Sequence, residues 1–248
     1  LSGGRSVAAD RRIGRAAFDT WVRGLPGWSA PQGLVDTFIE LATIPSPSGE
    51  EGMVAAYLQE KLRLLGFNDC QLDEVGNLTG ILPSTAQDSP NLLFTAHMDC
   101  VYPGGAQAVT PVFLRSGQIR TDRANSLGAD DKAGIAAILA TLGYVRNAGI
   151  AHGEIRVLFT VQEELGFRGI KRVPASILNG IHLVVSMDPP VRVERGETAH
   201  IAVLHMPPDH ALVPMVRAAA EDCGIQGQVL FAEDGYVGGD TICLSPLG

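Results

Sequence analysis

Residues 158–166, Leu-Phe-Thr-Val-Gln-Glu-Glu-Leu-Gly, are the stretch around which the fold of this chain is expected to be organised. The apolar, β-branched run from Ile155 to Val161 predicts a buried strand. Two adjacent carboxylates, Glu163 and Glu164, follow at its C-terminal end. Because ligands of open α/β sheets bind at the carboxyl ends of strands, one carboxylate could bind a metal while the other acts as a base. A solvated pair in a loop is the alternative.

Further imidazole and carboxylate groups stand at predicted strand ends or at a helix start. They are His97 and Asp99 after a strand over 91–96, Asp130 at the start of a helix over 128–149, and Asp188 after a strand over 182–187. Taken singly, these residues have structural interpretations: a hydrogen-bonded core histidine, a helix N-cap and a turn residue. Because all of them fall at the same edge of one predicted sheet as the glutamate pair, a shared site is the better interpretation.

The residue types at this edge are those that bind zinc. Zinc accepts imidazole nitrogen and carboxylate oxygen as ligands. A ligating imidazole usually donates its other N–H to a carboxylate, and Asp99 lies at the right spacing from His97 to accept it. Asp130, at a helix start, could bridge two cations about 3.5–4 Å apart, the separation found in two-metal hydrolases.

Composition narrows the class of protein. The chain has 248 residues, a formal charge of −8 and 46% hydrophobic residues, which is typical of a globular α/β protein and disfavours a nucleic-acid partner. No apolar run reaches the roughly 18 residues of a membrane span, so no membrane partner is expected. The four cysteines are scattered without a CxxC spacing, which favours a reduced, cytoplasmic setting over a disulfide framework.

The order of predicted elements indicates how the chain is divided. Residues 1–31 are basic and are interpreted as an N-terminal extension with one helix around 9–22. Strands and helices alternate over residues 32–248, which predicts one three-layer α/β domain. A helix is also predicted near 169–175, after the central strand.

Several of these segments resemble the signature blocks of the co-catalytic di-zinc exopeptidases, and most of all the tripeptidase (peptidase T) branch. The blocks are Ala-His-Met-Asp at 96–99, Leu-Gly-Ala-Asp-Asp-Lys-Ala-Gly at 127–134, Gln-Glu-Glu-Leu-Gly at 162–166, Met-Asp at 187–188 and Gly-Gly-Asp at 238–240. The resemblance runs from about residue 32 to residue 248. It implies a three-layer α/β/α zinc-exopeptidase-like catalytic domain with a mostly parallel mixed sheet.

The resemblance also implies a role for each candidate residue. His97 and Asp188 would bind one zinc ion, Glu164 the other, and Asp130 would bridge them. Glu163 would be the general base on a zinc-bridging water, with Asp99 supporting catalysis beside His97. A cis peptide bond after Asp130 is implied as well. The expected activity is that of a metalloprotease, a hydrolase of the aminopeptidase or tripeptidase type that acts on short peptides, with a homo-oligomer left open.

The chain departs from the family pattern in two places. Family members have a further histidine ligand beyond the Gly-Gly-Thr-Asp block, but no histidine occurs in the eight residues after Asp240, so the second zinc site is incomplete. His200, His205 and His210 are the substitutes that remain. The family's lid domain does not fit between Asp188 and Asp209. We therefore expect the C-terminal end to be missing and the 248 residues to be inactive or nearly so, with activity recovered in an extended chain.

Two other functions fit the same residues. One is an N-acyl amino acid deacylase that uses the same metal centre. The other is a non-catalytic binding relative, which the absent histidine favours and which Glu163 opposes, since binding alone would not need a base.

Overall fold

A five-stranded mixed sheet positions the residues singled out above. The structure, a computed structural model, describes residues 11–23, 33–121, 125–188, 201–204, 209–222 and 228–231. The helices found within these residues are α1 Arg15–Arg23, α2 Leu34–Ala42, α3 Gly52–Leu64, α4 Ala129–Asn147 and α5 Val213–Asp222. The strands are β1 Arg12–Ile13, β2 Asn68–Leu72, β3 Leu78–Leu82, β4 Leu92–His97, β5 Pro111–Leu114, β6 Ile119–Thr121, β7 Ile155–Thr160, β8 Leu183–Ser186, β9 Ile201–Leu204 and β10 Gln228–Phe231.

The strand order of the main sheet is β2-β3-β7-β4-β8. Strand β4 lies parallel to both β7 and β8, whereas β3 is antiparallel to β2 and to β7. The carboxyl ends of β4, β7 and β8 therefore lie at one edge of the sheet. The α/β class with a mixed sheet is confirmed.

Strand β7 is buried on both faces, which explains why its sequence does not alternate between apolar and polar residues. Val157 and Phe159 pack into the main core, which also contains apolar side chains of α2, α3 and α4. Leu158 points to the opposite face and packs with Leu93 and Ile170. The central strand thus joins the two sides of the domain.

The prediction of a helix near residues 169–175 is wrong. Two 3₁₀ turns, Ile170–Arg172 and Ala175–Leu178, occupy this region instead. Pro174 separates them, and Val173 before it is extended with φ −70° and ψ 127°. Proline disfavours helical backbone at the preceding residue and has no N–H to continue a helix.

The described part of the predicted N-terminal extension contacts the β5–β6 hairpin. Strand β1 pairs with β5, and the rings of Phe18 and Phe113 lie 5.0 Å apart. The predicted helix is present from Arg15 onward, whereas residues 1–10 and 24–32 lie outside the described ranges. The domain boundary between residues 31 and 32 stays a prediction. No helix within the described residues has the length and apolar character to cross a membrane.

Candidate metal centre

The candidate residues meet at the carboxyl edge of the three parallel strands, as their positions in the sequence predict. His97 is the last residue of β4, the glutamate pair follows β7, and Asp188 follows β8. Asp130 lies at the start of α4, beside His97. The common direction of the three strands is what brings these groups from distant parts of the chain to one edge.

His97, Asp130 and Glu164 form the group that can hold a metal ion. One potential ligand atom from each lies within 4.8 Å of the other two, and His97 Nε2 lies 2.9 Å from Asp130 Oδ1. One imidazole nitrogen with two carboxylate oxygens is a donor set that suits zinc. The residues present therefore fit a zinc ion.

Contacts with Asp99 fix the orientation of the His97 ring. Nδ1 lies 2.9 Å from the Asp99 backbone carbonyl oxygen and 3.4 Å from its Oδ1 atom, which leaves Nε2 directed at Asp130. Burial acts to lower the pKa of His97, but the carboxylates of Asp130, Asp99 and Asp131 raise it to about 12. Without a metal, the imidazole thus holds a proton that a metal ion would replace.

The Asp99 carboxylate also holds the turn that follows β7. Its Oδ1 atom accepts the Glu163 N–H at 2.9 Å, and its Oδ2 atom accepts the Glu164 N–H at 3.2 Å and the Ser48 hydroxyl at 2.7 Å. Burial acts to raise the pKa of Asp99, but hydrogen bonds from His97, Ser48 and the Glu163 N–H lower it below its usual value. Asp99 therefore stays charged while it accepts hydrogen bonds from Ser48 and from the amides of Glu163 and Glu164.

Asp130 and Asp131 are joined by a cis peptide bond, as the resemblance implies, and their side chains have different surroundings. Asp130 leaves 54% of its side chain exposed, beside His97. Asp131 is 1% exposed and accepts the N–H groups of His97 at 3.3 Å and Gly134 at 3.1 Å. Burial raises the pKa of Asp131 well above its usual value, and the nearby Asp188 carboxylate adds to this. Sequence reasoning missed this tie between β4 and α4, because an acid at a helix start resembles an N-cap.

The two glutamates occupy different positions. Glu164 belongs to the group that can hold a metal ion, and burial followed by the Asp130 charge raises its pKa. An Oε2 atom of Glu163 lies 4.0 Å from His97 Nε2, next to the group. Asp188 lies close enough to Asp131 to act on it electrostatically, but it is not one of the three grouped residues. Its assignment as a zinc ligand stays a prediction.

A second buried carboxylate, Glu51, supports the same turn and was missed by sequence reasoning. It is 5% exposed, and its Oε1 atom accepts the N–H groups of Gly49 at 2.8 Å and Gln162 at 3.1 Å. Burial raises the pKa of Glu51, whereas these hydrogen bonds act to lower it. In the sequence, the only signal is an acidic residue before a helix.

Lys132, in the Gly-Ala-Asp-Asp-Lys block, lies fully buried behind the centre. Its Nζ atom donates to the Ile44 carbonyl oxygen at 2.5 Å and to the Tyr102 hydroxyl at 2.9 Å. Burial lowers the pKa of Lys132. The side chain thus ties the loop after α2 and the loop after β4 to the start of α4.

Within the described residues, no contact supports the prediction that His200, His205 or His210 replaces the missing histidine ligand. His210 is exposed, and its Nδ1 atom accepts the Leu212 N–H at 3.2 Å. His200, His205 and the block at 238–240 lie outside the described residues. The protein ligands of a second metal ion beyond Asp130 and Glu164 stay open.

Comparison with known proteins places these features in a family. The sequence profile of Peptidase family M20/M25/M40 matches residues 93–243. Protein YqjE of Bacillus subtilis (strain 168) is 36% identical over 152 residues, which are 58% of this chain and 40% of that protein. Peptidase T of Shewanella woodyi is 32% identical over 162 residues, which are 53% of this chain and 40% of that protein.

Among solved structures, a tripeptidase from Staphylococcus aureus is similar with 37% identity and a TM-score of 0.58. The match covers 64% of this chain and 43% of that one. The matched region therefore spans less than half the length of each of these three relatives.

Proposed function

The chain belongs to Peptidase family M20/M25/M40, and we propose from this and from the centre at the sheet edge that it hydrolyses peptide bonds in short peptides. The observation that carries the proposal is the convergence of His97, Asp130 and Glu164 with Glu163 beside them. Three side chains that can bind zinc and one further carboxylate are the groups that metal-assisted hydrolysis requires.

We assign His97 and Asp188 to a first zinc ion, Glu164 to a second, and Asp130 to both. Bound zinc would lower the pKa of a coordinated water and polarise the scissile carbonyl group. The support for Asp188 is indirect: its carboxylate acts electrostatically on Asp131, the residue next to Asp130, and raises the pKa of Asp131.

The protein's own residues divide the remaining work. Glu163 takes a proton from the attacking water and passes it to the leaving amine, so it acts as base and then as acid. Asp99 holds the His97 ring through Nδ1 and holds the amides of both glutamates. Asp99 thereby sets the position of the base, Glu163, relative to the metal ligands His97 and Glu164.

The names of similar proteins support a proposal for the substrate class. The similar proteins include a peptidase T and a tripeptidase, so we propose di- and tripeptides cleaved from the N-terminus. We propose a reduced, cytoplasmic setting from the scattered spacing of the four cysteines in the sequence. Assembly into a homo-oligomer stays a prediction.

A substrate panel tests the proposal. The 248 residues and a chain extended past residue 248 are both assayed on di- and tripeptides and on N-acyl amino acids, before and after removal of metal by a chelator and after zinc is added back. We expect little hydrolysis from the 248 residues, and from the extended chain peptide hydrolysis that is lost with the metal and restored by zinc. Hydrolysis of the N-acyl amino acids alone would instead identify a deacylase, and no zinc-restored hydrolysis of either class would refute the proposal.

A further inference from the structure

We propose that Glu51 is a positioning residue for the glutamate pair: its buried carboxylate holds the first amide of the turn that presents Glu163 and Glu164 to the metal centre. The inference rests on the proposed function, because the purpose of this turn is to place a base and a metal ligand. Glu51 is not one of the three residues that can hold the metal ion, and it lies at the start of α3, whereas the glutamate pair follows β7.

The first observation is the environment of the Glu51 side chain. A single oxygen, Oε1, accepts the N–H groups of Gly49 at 2.8 Å and Gln162 at 3.1 Å, and 5% of the residue is exposed. A buried carboxylate is costly unless hydrogen bonds compensate for lost water. Here the compensation comes from the two segments that Glu51 joins, the start of α3 and the end of β7.

The second observation is the backbone of the turn itself. Gln162 has a φ of 53°, in the left-handed region that residues other than glycine seldom adopt. A conformation of this kind persists when surrounding contacts determine it. The Glu51 carboxylate supplies such a contact at the Gln162 N–H.

Three successive amides of this turn are held by two carboxylates. Glu51 accepts from Gln162, and Asp99 accepts from Glu163 and Glu164. Successive backbone N–H groups of a turn form a concavity that favours negative charge. Asp99 holds the second and third amides, and Glu51 holds the first, where the chain leaves β7.

The position of this turn determines the geometry of the centre. Glu163 Oε2 lies 4.0 Å from His97 Nε2, and the Glu164 carboxylate is grouped with His97 and Asp130. A change in the Gln162 backbone would move both carboxylates together. Outer partners of metal ligands typically affect metal affinity or activity by about 10–100-fold when they are removed.

Four variants distinguish a role of Glu51 in positioning the turn from the general effect of removing a negative charge. Glu51→Ala removes the acceptor, and Glu51→Gln keeps a side-chain oxygen at the same distance. Glu51→Asp shortens the side chain by one methylene group and draws the acceptor away from Gln162, so it replaces the alanine variant if that one does not fold. Glu50→Ala is the matched control, because it removes the neighbouring exposed carboxylate.

Two measurements are made on each variant: zinc affinity by calorimetric titration and amide hydrogen exchange across residues 161–166. For Glu51→Ala we expect zinc affinity to fall by about 10–100-fold and exchange at Gln162 to accelerate. Glu51→Gln should have zinc affinity and Gln162 exchange closer to wild type than Glu51→Ala has. Glu50→Ala should change neither zinc affinity nor exchange.

The outcomes distinguish this inference from the proposed function. A folded Glu51→Ala protein with wild-type zinc affinity and wild-type exchange would overturn the role of Glu51, while zinc binding by wild type would leave the proposed function intact. Failure of the wild type to bind zinc would refute the proposed function instead. In that event the exchange at Gln162 still decides whether Glu51 holds the turn.

Discussion

The carboxylate of Asp99, two residues after β4, accepts the backbone N–H of Glu163, three residues after β7, at 2.9 Å. The same side chain accepts the Glu164 N–H through its other oxygen and stands against the His97 ring. Asp99 therefore contacts all three residues: its backbone carbonyl oxygen contacts the His97 ring, and its carboxylate accepts the N–H groups of Glu163 and Glu164. This relation explains why Asp99, which is not grouped with the metal ligands, is expected to matter for metal binding.

Replacing Asp99 by asparagine should weaken zinc binding by about 10–100-fold. Asparagine has one oxygen, whereas Asp99 uses both oxygens as acceptors, so an amide NH₂ would face the N–H of Glu163 or Glu164. Zinc titration of Asp99→Asn measures the effect. Ser48→Ala, which removes only the hydroxyl that Asp99 accepts, should cost less, and wild-type affinity in Asp99→Asn would contradict this prediction.

The two adjacent glutamates should respond differently to the same substitution. Glu163→Gln should retain zinc and lose about 10²–10⁴ in kcat, because only proton transfer is removed. Glu164→Gln should weaken zinc binding, because a ligand atom in the group is replaced by a poorer donor. Metal content is measured for both variants, and kcat is measured for both in a chain extended past residue 248. An exchange of the two effects would mean that the assigned roles are reversed.

Zinc binding should release a proton near neutral pH. Without metal, neighbouring carboxylates raise the pKa of His97 to about 12, so its imidazole is protonated, whereas a zinc-bound imidazole is not. Zinc and the proton therefore compete, and affinity should rise with pH. Calorimetric titrations in buffers with different ionisation enthalpies count the protons. Zinc affinity that does not depend on pH, with no proton released, would contradict the protonated state.

Two glycines of α4 should respond in opposite ways to substitution by alanine. A Cβ atom at Gly134 would overlap Asp131 Oδ1 and lie 2.8 Å from Met187 Cβ, which should lower the free energy of unfolding by about 1–3 kcal/mol. At Gly143 the nearest atom, Leu65 Cδ2, is 3.8 Å away, so alanine should raise it by about 0.5–1 kcal/mol.

Chemical denaturation compares the two glycine variants, and zinc titration provides a second readout. Since Asp131 also accepts the His97 N–H, only Gly134→Ala should weaken zinc binding. Equal stability and equal zinc affinity in both variants would show that the close approach of α4 to the end of β8 is not required.

Strands and strand ends could be predicted from the sequence because their signal is local. The apolar runs at 91–96 and 155–161 correspond to β4 and β7, and the polar groups that follow each run lie at the common edge. The prediction of a helix near 169–175 was wrong because Pro174 divides the segment. Its apolar residues Ile170 and Val173 pack with Leu93 and Leu158 without forming an α-helix.

The supporting residues could not be predicted in the same way, because their partners are far away in sequence. Glu51 contacts an amide 111 residues further along the chain, and Asp131 contacts one 34 residues before it. Each acid also stands near a helix start, where a cap or a favourable dipole interaction is the simpler interpretation. Only the folded arrangement shows that both carboxylates point into the interior.

The central claim is that His97, Asp130 and Glu164 form one zinc centre, with His97 on a first ion, Glu164 on a second and Asp130 on both, and anomalous diffraction at the zinc absorption edge tests it most directly. Crystals grown with zinc should show an anomalous peak about 2.0–2.2 Å from His97 Nε2 and from a carboxylate oxygen of Asp130. Glu164 should coordinate zinc at the same centre. A peak bound elsewhere, with these three side chains uncoordinated, or no peak at all, would contradict the account.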